Sequence, residues 1–223
     1  TVVCEASVVL HDDAAREVHA AELPRPLPVE LNLAGRHNVL NALAAITVGL
    51  ELGVDEEAIR RALAGFQGVG RRFVVSALRD AADRDLVLVD DYGHHPKELA
   101  ATLEAARAGW PGRRLVLVFQ PHRFTRTQEQ FDDFVRVLST PNVLILCEVY
   151  PAGEAPIAGA DGRSLSRAIR ARGDLDPIFA QDLDEVPRLL RNLLQDGDLV
   201  VLMGAGDIGG LAARLPALLM ETE

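Results

Sequence analysis

Three short segments concentrate the side chains with chemical capacity. They are Asp90-Asp91-Tyr92-Gly93-His94-His95-Pro96, Gln120-Pro121-His122-Arg123-Phe124-Thr125-Arg126-Thr127 and Glu148-Val149-Tyr150-Pro151-Ala152-Gly153-Glu154. Arg123 and Arg126 stand three apart at the start of a helical pattern. With helix-terminal amides they make a fork suited to a carboxylate or a phosphate. Tyr92, His94 and His95 supply hydrogen bonds that would orient an amine or a second anion. A solvated loop with capping groups is the plain alternative, and it needs only one or two turn residues. Neighbouring histidines also suggest a metal, but their side chains point in different directions and no spaced ligand set accompanies them. No metal site is expected.

Two further segments bear on nucleotide chemistry. Gly204-Ala205-Gly206-Asp207-Ile208-Gly209 has the dinucleotide-fingerprint spacing after a strand and before a helix. The sequence ends at Glu223, ahead of any strand that would carry the acidic ribose partner. A tight turn using glycine's backbone freedom is the simpler account. No Gly-x-x-x-x-Gly-Lys-Ser/Thr occurs, so a triphosphate cradle of that kind is not expected within these residues.

The elements that must hold these groups are legible from periodicity. Residues 86–89, 115–119, 143–149, 177–180 and 199–203 read as strands. Residues 96–108, 128–138, 164–171, 184–194 and 209–219 read as helices between or after them. Several strands are continuous apolar runs, the pattern of a strand covered on both faces. Five strand–helix units predict an α/β fold with a doubly wound parallel sheet, whose ligands sit beyond the carboxyl ends of the strands. The three polar segments follow three such ends. Upstream, residues 1–10 and 29–33 read as strands, and Gly35 opens a helix with Val39, Leu40, Leu43, Ile46 and Leu50 inward. Gly53 ends it. Asp55 caps a second helix with Ile59, Leu63 and Phe66 inward.

Composition narrows the class. Of 223 residues, 48% are apolar and 25% charged, which is ordinary for a globular protein. A net charge of −10 argues against a grip on long nucleic acid. No apolar run reaches the roughly 18 residues of a membrane helix and no signal peptide opens the chain, so a cytoplasmic location is expected, with no membrane partner. Cys4 and Cys147 are expected to be buried, reduced thiols. The chain begins at Thr1 without Met, inside a strand-like run, and a fragment of a longer protein is expected.

Taken together, the motifs resemble the Mur ligase family from about Val29 onward, in the expected order. Gly35-Arg36-His37-Asn38-Val39-Leu40-Asn41-Ala42 resembles the helix start at which these enzymes contact adenine. Gly68-Val69-Gly70-Arg71-Arg72-Phe73 resembles the link between central and carboxy-terminal domains. The three polar segments and the Gly204–Gly209 turn are similar to those of the member that adds L-alanine to UDP-N-acetylmuramate.

The resemblance implies residues 1–71 as the end of a central ATP-binding domain and 72–223 as a Rossmann-like, mostly parallel amino-acid-binding domain. It implies ATP and Mg2+ as cofactors, with most magnesium ligands outside this chain. Asn38 and Asn41 would contact adenine, Asp91 the ribose, and Arg72 the γ-phosphate as the catalytic group. Tyr92, His94, His122, Arg123 and Arg126 would line the amino-acid and muramoyl side. Without the UDP-sugar domain and the phosphate loop, these residues are expected to be inactive alone. Other readings are a murein tripeptide recycling ligase, a stand-alone Rossmann-like nucleotide-binding module, and a structural remnant without catalysis.

Overall fold

The computed structural model describes residues 2–6, 9–10, 21–22, 27–31, 36–66 and 70–221, and the chain divides into two compact units, Thr1–Val69 and Gly70–Glu223. Gly35, with Gly68 and Val69 of the proposed link, lies outside the described residues, as does the Cys4 side chain.

In the first unit, β1 (Val2–Ala6) pairs antiparallel with β4 (Leu27–Leu31), and β2 (Val9–Leu10) with β3 (Ala21–Glu22). Strand β4 alternates because only one face is covered. Leu27, Val29 and Leu31 are buried while Pro28 and Glu30 are exposed. Leu27 and Val29 meet Ile46 of α1 (Arg36–Glu51) and Ile59 of α2 (Glu56–Gly65) in a small core. Helix α2 starts as its sequence dictates, with Asp55 accepting the amides of Glu57 and Ala58 at 3.1 and 3.3 Å. Two residues expected to face inward are exposed in this unit. Leu40 is 57% exposed, and Phe66 is the C-terminal cap of α2, 45% exposed.

The second unit is a six-stranded sheet in the order β5-β6-β10-β7-β8-β9. The strands are β5 (Val74–Arg79), β6 (Asp85–Asp91), β7 (Leu115–Phe119), β8 (Val143–Cys147), β9 (Ile178–Ala180) and β10 (Leu199–Met203). All pairings are parallel except β5 with β6, which runs antiparallel from Val74 opposite Asp90 to Arg79 opposite Asp85. Strand β5 is an addition to the five expected strands. It lies at the sheet edge with five of its six residues exposed, and so lacks the apolar pattern that reveals the others.

Both faces carry a core, which explains the unbroken apolar runs. Val87, Val89, Leu117 and Val201 meet α3 (Pro96–Gly109), α5 (Phe131–Leu138) and α6 (Gly162–Arg172). Leu86, Leu88, Val116 and Val200 meet α7 (Val186–Leu193) and α8 (Ile208–Met220) on the other face. Cys147 is buried in that second core as expected, and burial pushes its thiol up to about 12. The helix expected over 128–138 is two helices, α4 (Phe124–Glu129) and α5, broken at Gln130 (φ −119°, ψ 25°). Strand β10 inserts between β6 and β7. The ends of β6, β10, β7 and β8 therefore lie side by side, and chemistry can be assembled across them.

Candidate functional site

At the end of β6, two adjacent aspartates do different work. Asp91 is 7% exposed, and its carboxylate accepts the amides of Phe73 (2.8 Å) and Gly93 (2.7 Å). Asp90 faces Arg71, whose Nε donates to Oδ1 at 3.3 Å, while Arg71 Nη2 donates to the Gly204 carbonyl at 2.6 Å. Burial, opposed by Arg71 and aided by Asp91, leaves the Asp90 carboxyl above its ordinary range. Arg71 thus bridges the β6 and β10 ends. Arg72 is half exposed, 4.0 Å from Glu98, with its guanidinium 5.3 Å from the Tyr92 ring centre.

Helix α3 begins with a reciprocal cap. His95 Nδ1 accepts the Lys97 amide at 3.2 Å, and Glu98 Oε2 accepts the amides of His94 and His95 at 2.9 and 3.1 Å. Burial alone would raise the Glu98 carboxyl, but those amides, with His94 and Arg72 nearby, hold it below the ordinary range. His95, expected among the orienting groups, is occupied as a cap. Glu three residues after His95 is the sequence signal for it.

The ends of β6, β7 and β8 meet through a row of rings. Tyr92 and His94 are edge to face at 5.5 Å, His94 and His122 lie 5.6 Å apart, and His122 stacks on Tyr150 at 5.4 Å. These are ordinary separations for favourable ring contacts. His122 is locked to the β8 loop on both sides. The Tyr150 amide donates to Pro121 O at 2.8 Å and the Arg123 amide to Tyr150 O at 2.9 Å. Arg123 holds φ at 74°, unfavourable for a residue with a Cβ. Its carbonyl is fixed by the Thr127 amide and hydroxyl at 3.1 and 2.9 Å.

Arg126 Nη1 donates to the His122 carbonyl at 2.9 Å and lies 3.4 Å from Nδ1 of the same imidazole. Burial first, then the charges of His94, Arg126 and Arg123, push the His122 imidazole below its ordinary value, with Glu154 opposing. Glu154 also clamps the two loops, accepting the Thr125 amide (3.0 Å) and hydroxyl (2.7 Å) and lying 3.7 Å from Arg123.

The turn after β10 closes the site from below. Gln120 Nε2 donates to Asp207 Oδ1 at 2.6 Å, and its Oε1 accepts the Ile208 amide at 3.1 Å. A Cβ on Gly206 would lie 2.5 Å from Gln120 Oε1, and one on Gly204 (φ 147°) 2.7 Å from the Gln120 carbonyl. These glycines are required by close packing within the chain, which accounts for the turn without a dinucleotide.

The structure brings together Tyr92, His94, His122, Arg123 and Arg126, with Arg72 at the Tyr92 end and Asp91 behind it. Asn38 and Asn41 lie on α1 in the other unit, half-buried and exposed respectively. Arg71, Gln120, Glu98, Tyr150 and Glu154 stand around the ring row and its arginines; Gln120, Tyr150 and Glu154 lie in the polar segments and Glu98 at the capping spacing, but no local pattern gives the contacts they make. Among the described residues, no three His, Cys, Asp or Glu side chains are grouped to hold a metal ion.

Comparison with known proteins gives this geometry its context. Residues 71–206 match the family model described as Mur ligase, glutamate ligase domain. The UDP-N-acetylmuramate–L-alanine ligase of Methylococcus capsulatus is 63% identical over 86% of this chain and 40% of its own length. That of Halorhodospira halophila is 63% identical over 84% and 38%. The crystal structure of the Thermotoga maritima UDP-N-acetylmuramate–alanine ligase superposes with a TM-score of 0.65 and 26% identity, covering 95% of this chain and 42% of that one. The chain thus spans about two fifths of the length of these relatives. On the family match and these identities, the chain belongs to the Mur ligase family.

Proposed function

We propose that this chain is the carboxy-terminal portion of an ATP-dependent ligase that joins L-alanine to UDP-N-acetylmuramate in peptidoglycan precursor synthesis. The observation that carries this reading is the 63% identity to the Methylococcus enzyme over 191 residues, a length that must include 90–154, where the ring row and its arginines lie. In the reaction, the muramoyl carboxylate takes the γ-phosphoryl group of ATP, giving an acyl phosphate and ADP. The amine of L-alanine, having lost a proton, attacks the acyl carbon. Inorganic phosphate leaves and an amide remains.

Such a reaction needs charge neutralisation at the migrating phosphoryl and close placement of the amine. Arg72, half exposed and beside Tyr92, serves the first need. Tyr92, His94, His122, Arg123 and Arg126 serve the second, with the guanidiniums holding carboxylate or phosphate oxygens and the rings shaping the amine's approach. Asn38 and Asn41 recognise adenine. Asp91 already commits one lone pair of each oxygen to an amide, so a ribose hydroxyl would use the remaining pairs. Magnesium accompanies the nucleotide as its counter-ion, and its ligands are assigned to the longer enzyme. A cytoplasmic location suits these soluble substrates, and no helix among the described residues is long and apolar enough to cross a membrane.

The test is phosphate release with ATP, magnesium, UDP-N-acetylmuramate and L-alanine, using this chain alone and joined to the segment its gene encodes upstream. Release that depends on L-alanine, and only in the extended protein, is expected. A folded extended protein that is silent with L-alanine but active with a murein tripeptide would move the assignment to the recycling ligase.

A further inference from the structure

We propose that the second unit carries another anion site, on the outer face of α6, that takes a small phosphorylated ligand. Arg163, Arg167 and Arg170 follow one another at spacings of four and three, so they share a helical face. With Ser166 and Phe179 they line a cavity of about 260 Å³. Phe179 comes from β9 at the sheet edge, with β8 and β7 between it and β10. None of the five lining residues belongs to the ring row.

Three features point to an anion. The Arg163 guanidinium lies 4.6 Å from the Phe179 ring centre and donates to Gln181 Oε1 at 2.7 Å, while Arg167 donates to Ser164 Oγ at 3.2 Å. Those partners are neutral, and neither guanidinium has a carboxylate oxygen within 4.0 Å among the described residues, although Ser164 Oγ in turn donates to Asp161 at 3.1 Å. Arg170 differs, being fixed by Asp176 at 2.6 Å and by the Pro177 carbonyl at 3.1 Å. Second, helix polarity explains only part of the cluster. Arg170 and Arg172 stand in the last turn, where a cation is favoured, but Arg163 stands in the first, where it is disfavoured. Third, Ser166 is 3% exposed and its hydroxyl has no hydrogen-bond partner. Planar guanidinium forks match phosphate oxygens.

The 223-residue chain is titrated with inorganic pyrophosphate at constant ionic strength while backbone amide shifts are followed by NMR. Saturable shifts are expected at residues 163–170 and at Phe179. The double variant Arg163→Ala/Arg167→Ala should bind at least about tenfold more weakly, and the charge reversal Arg167→Glu at an exposed position should abolish saturation. Shifts that never saturate, saturable shifts confined to residues 120–127, or undiminished affinity in a folded variant would each overturn the site.

Discussion

The Asp91 carboxylate accepts the Phe73 amide at 2.8 Å, tying the chain that enters β5 to the end of β6. Phe73 sits at φ 52°, and its ring stacks near Trp110 with centroids 6.4 Å apart. That backbone conformation is costly for an aromatic residue. The other carboxylate oxygen holds Gly93. Asp91 therefore shapes the loop that presents Tyr92 and His94. Asp91→Ala leaves two amides without their charged acceptor and is expected to cost about 3 kcal/mol. Urea unfolding of the chain measures it. A loss under about 0.5 kcal/mol would show that the carboxylate is not the anchor.

A second buried carboxylate makes a sharper case. Asp198 is 1% exposed and receives Arg114 through Nε (2.9 Å) and Nη2 (2.7 Å). The same Nη2 donates to the Leu193 carbonyl at 2.7 Å, capping α7. Arg114→Ala strands a buried charge, so a loss of about 3–5 kcal/mol is expected. Replacing both partners by apolar residues, Arg114→Met/Asp198→Leu, removes the stranded charge. The double variant should be more stable than Arg114→Ala, and equal or lower stability in a double-mutant cycle would refute the pairing argument.

Two glycines only four residues apart should respond oppositely to alanine. A Cβ on Gly206 would meet Gln120 Oε1 at 2.5 Å and Tyr150 Cγ at 2.7 Å. Gly206→Ala must push Gln120 off Asp207 or Tyr150 off His122, at about 1–3 kcal/mol. A Cβ on Gly210 in α8 has nothing within 4 Å. Gly210→Ala should gain about 0.5–1 kcal/mol from helix propensity. Thermal unfolding of both variants reads the contrast, and a neutral Gly206→Ala would mean the turn has slack.

Legibility in the sequence followed burial. Strands β7 and β10 occur at the residues periodicity assigned, 115–119 and 199–203, because both faces are covered and every position is apolar. Strand β5 escaped because one edge strand with exposed Val74 and Val75 leaves no such pattern. The break at Gln130 escaped because no glycine or proline marks it. For the site, residue types announced the segments around Tyr92, His122 and Arg126. The neighbours Arg71, Gln120 and Tyr150 act across the insertion of β10 between β6 and β7, a pairing no local pattern encodes.

The same ring row makes His122 a titratable joint. Burial, with His94, Arg126 and Arg123 around it, favours the neutral imidazole, so its folded pKa lies below the ordinary 6.5. Between those two values the unfolded chain binds a proton that the folded chain does not. Stability from this group is thus fully present above about pH 6.5 and is lost as pH falls toward the folded pKa. Glu98, held below its ordinary 4.5, contributes in the same direction but in a lower window. Urea midpoints of wild type and His122→Gln, taken from about pH 7.5 to about pH 5.5, separate the two. The wild type should lose stability across that range and the variant should lose measurably less. NMR of the His122 ring gives the direct reading, and titration at or above 6.5 would remove His122 as the source of the slope.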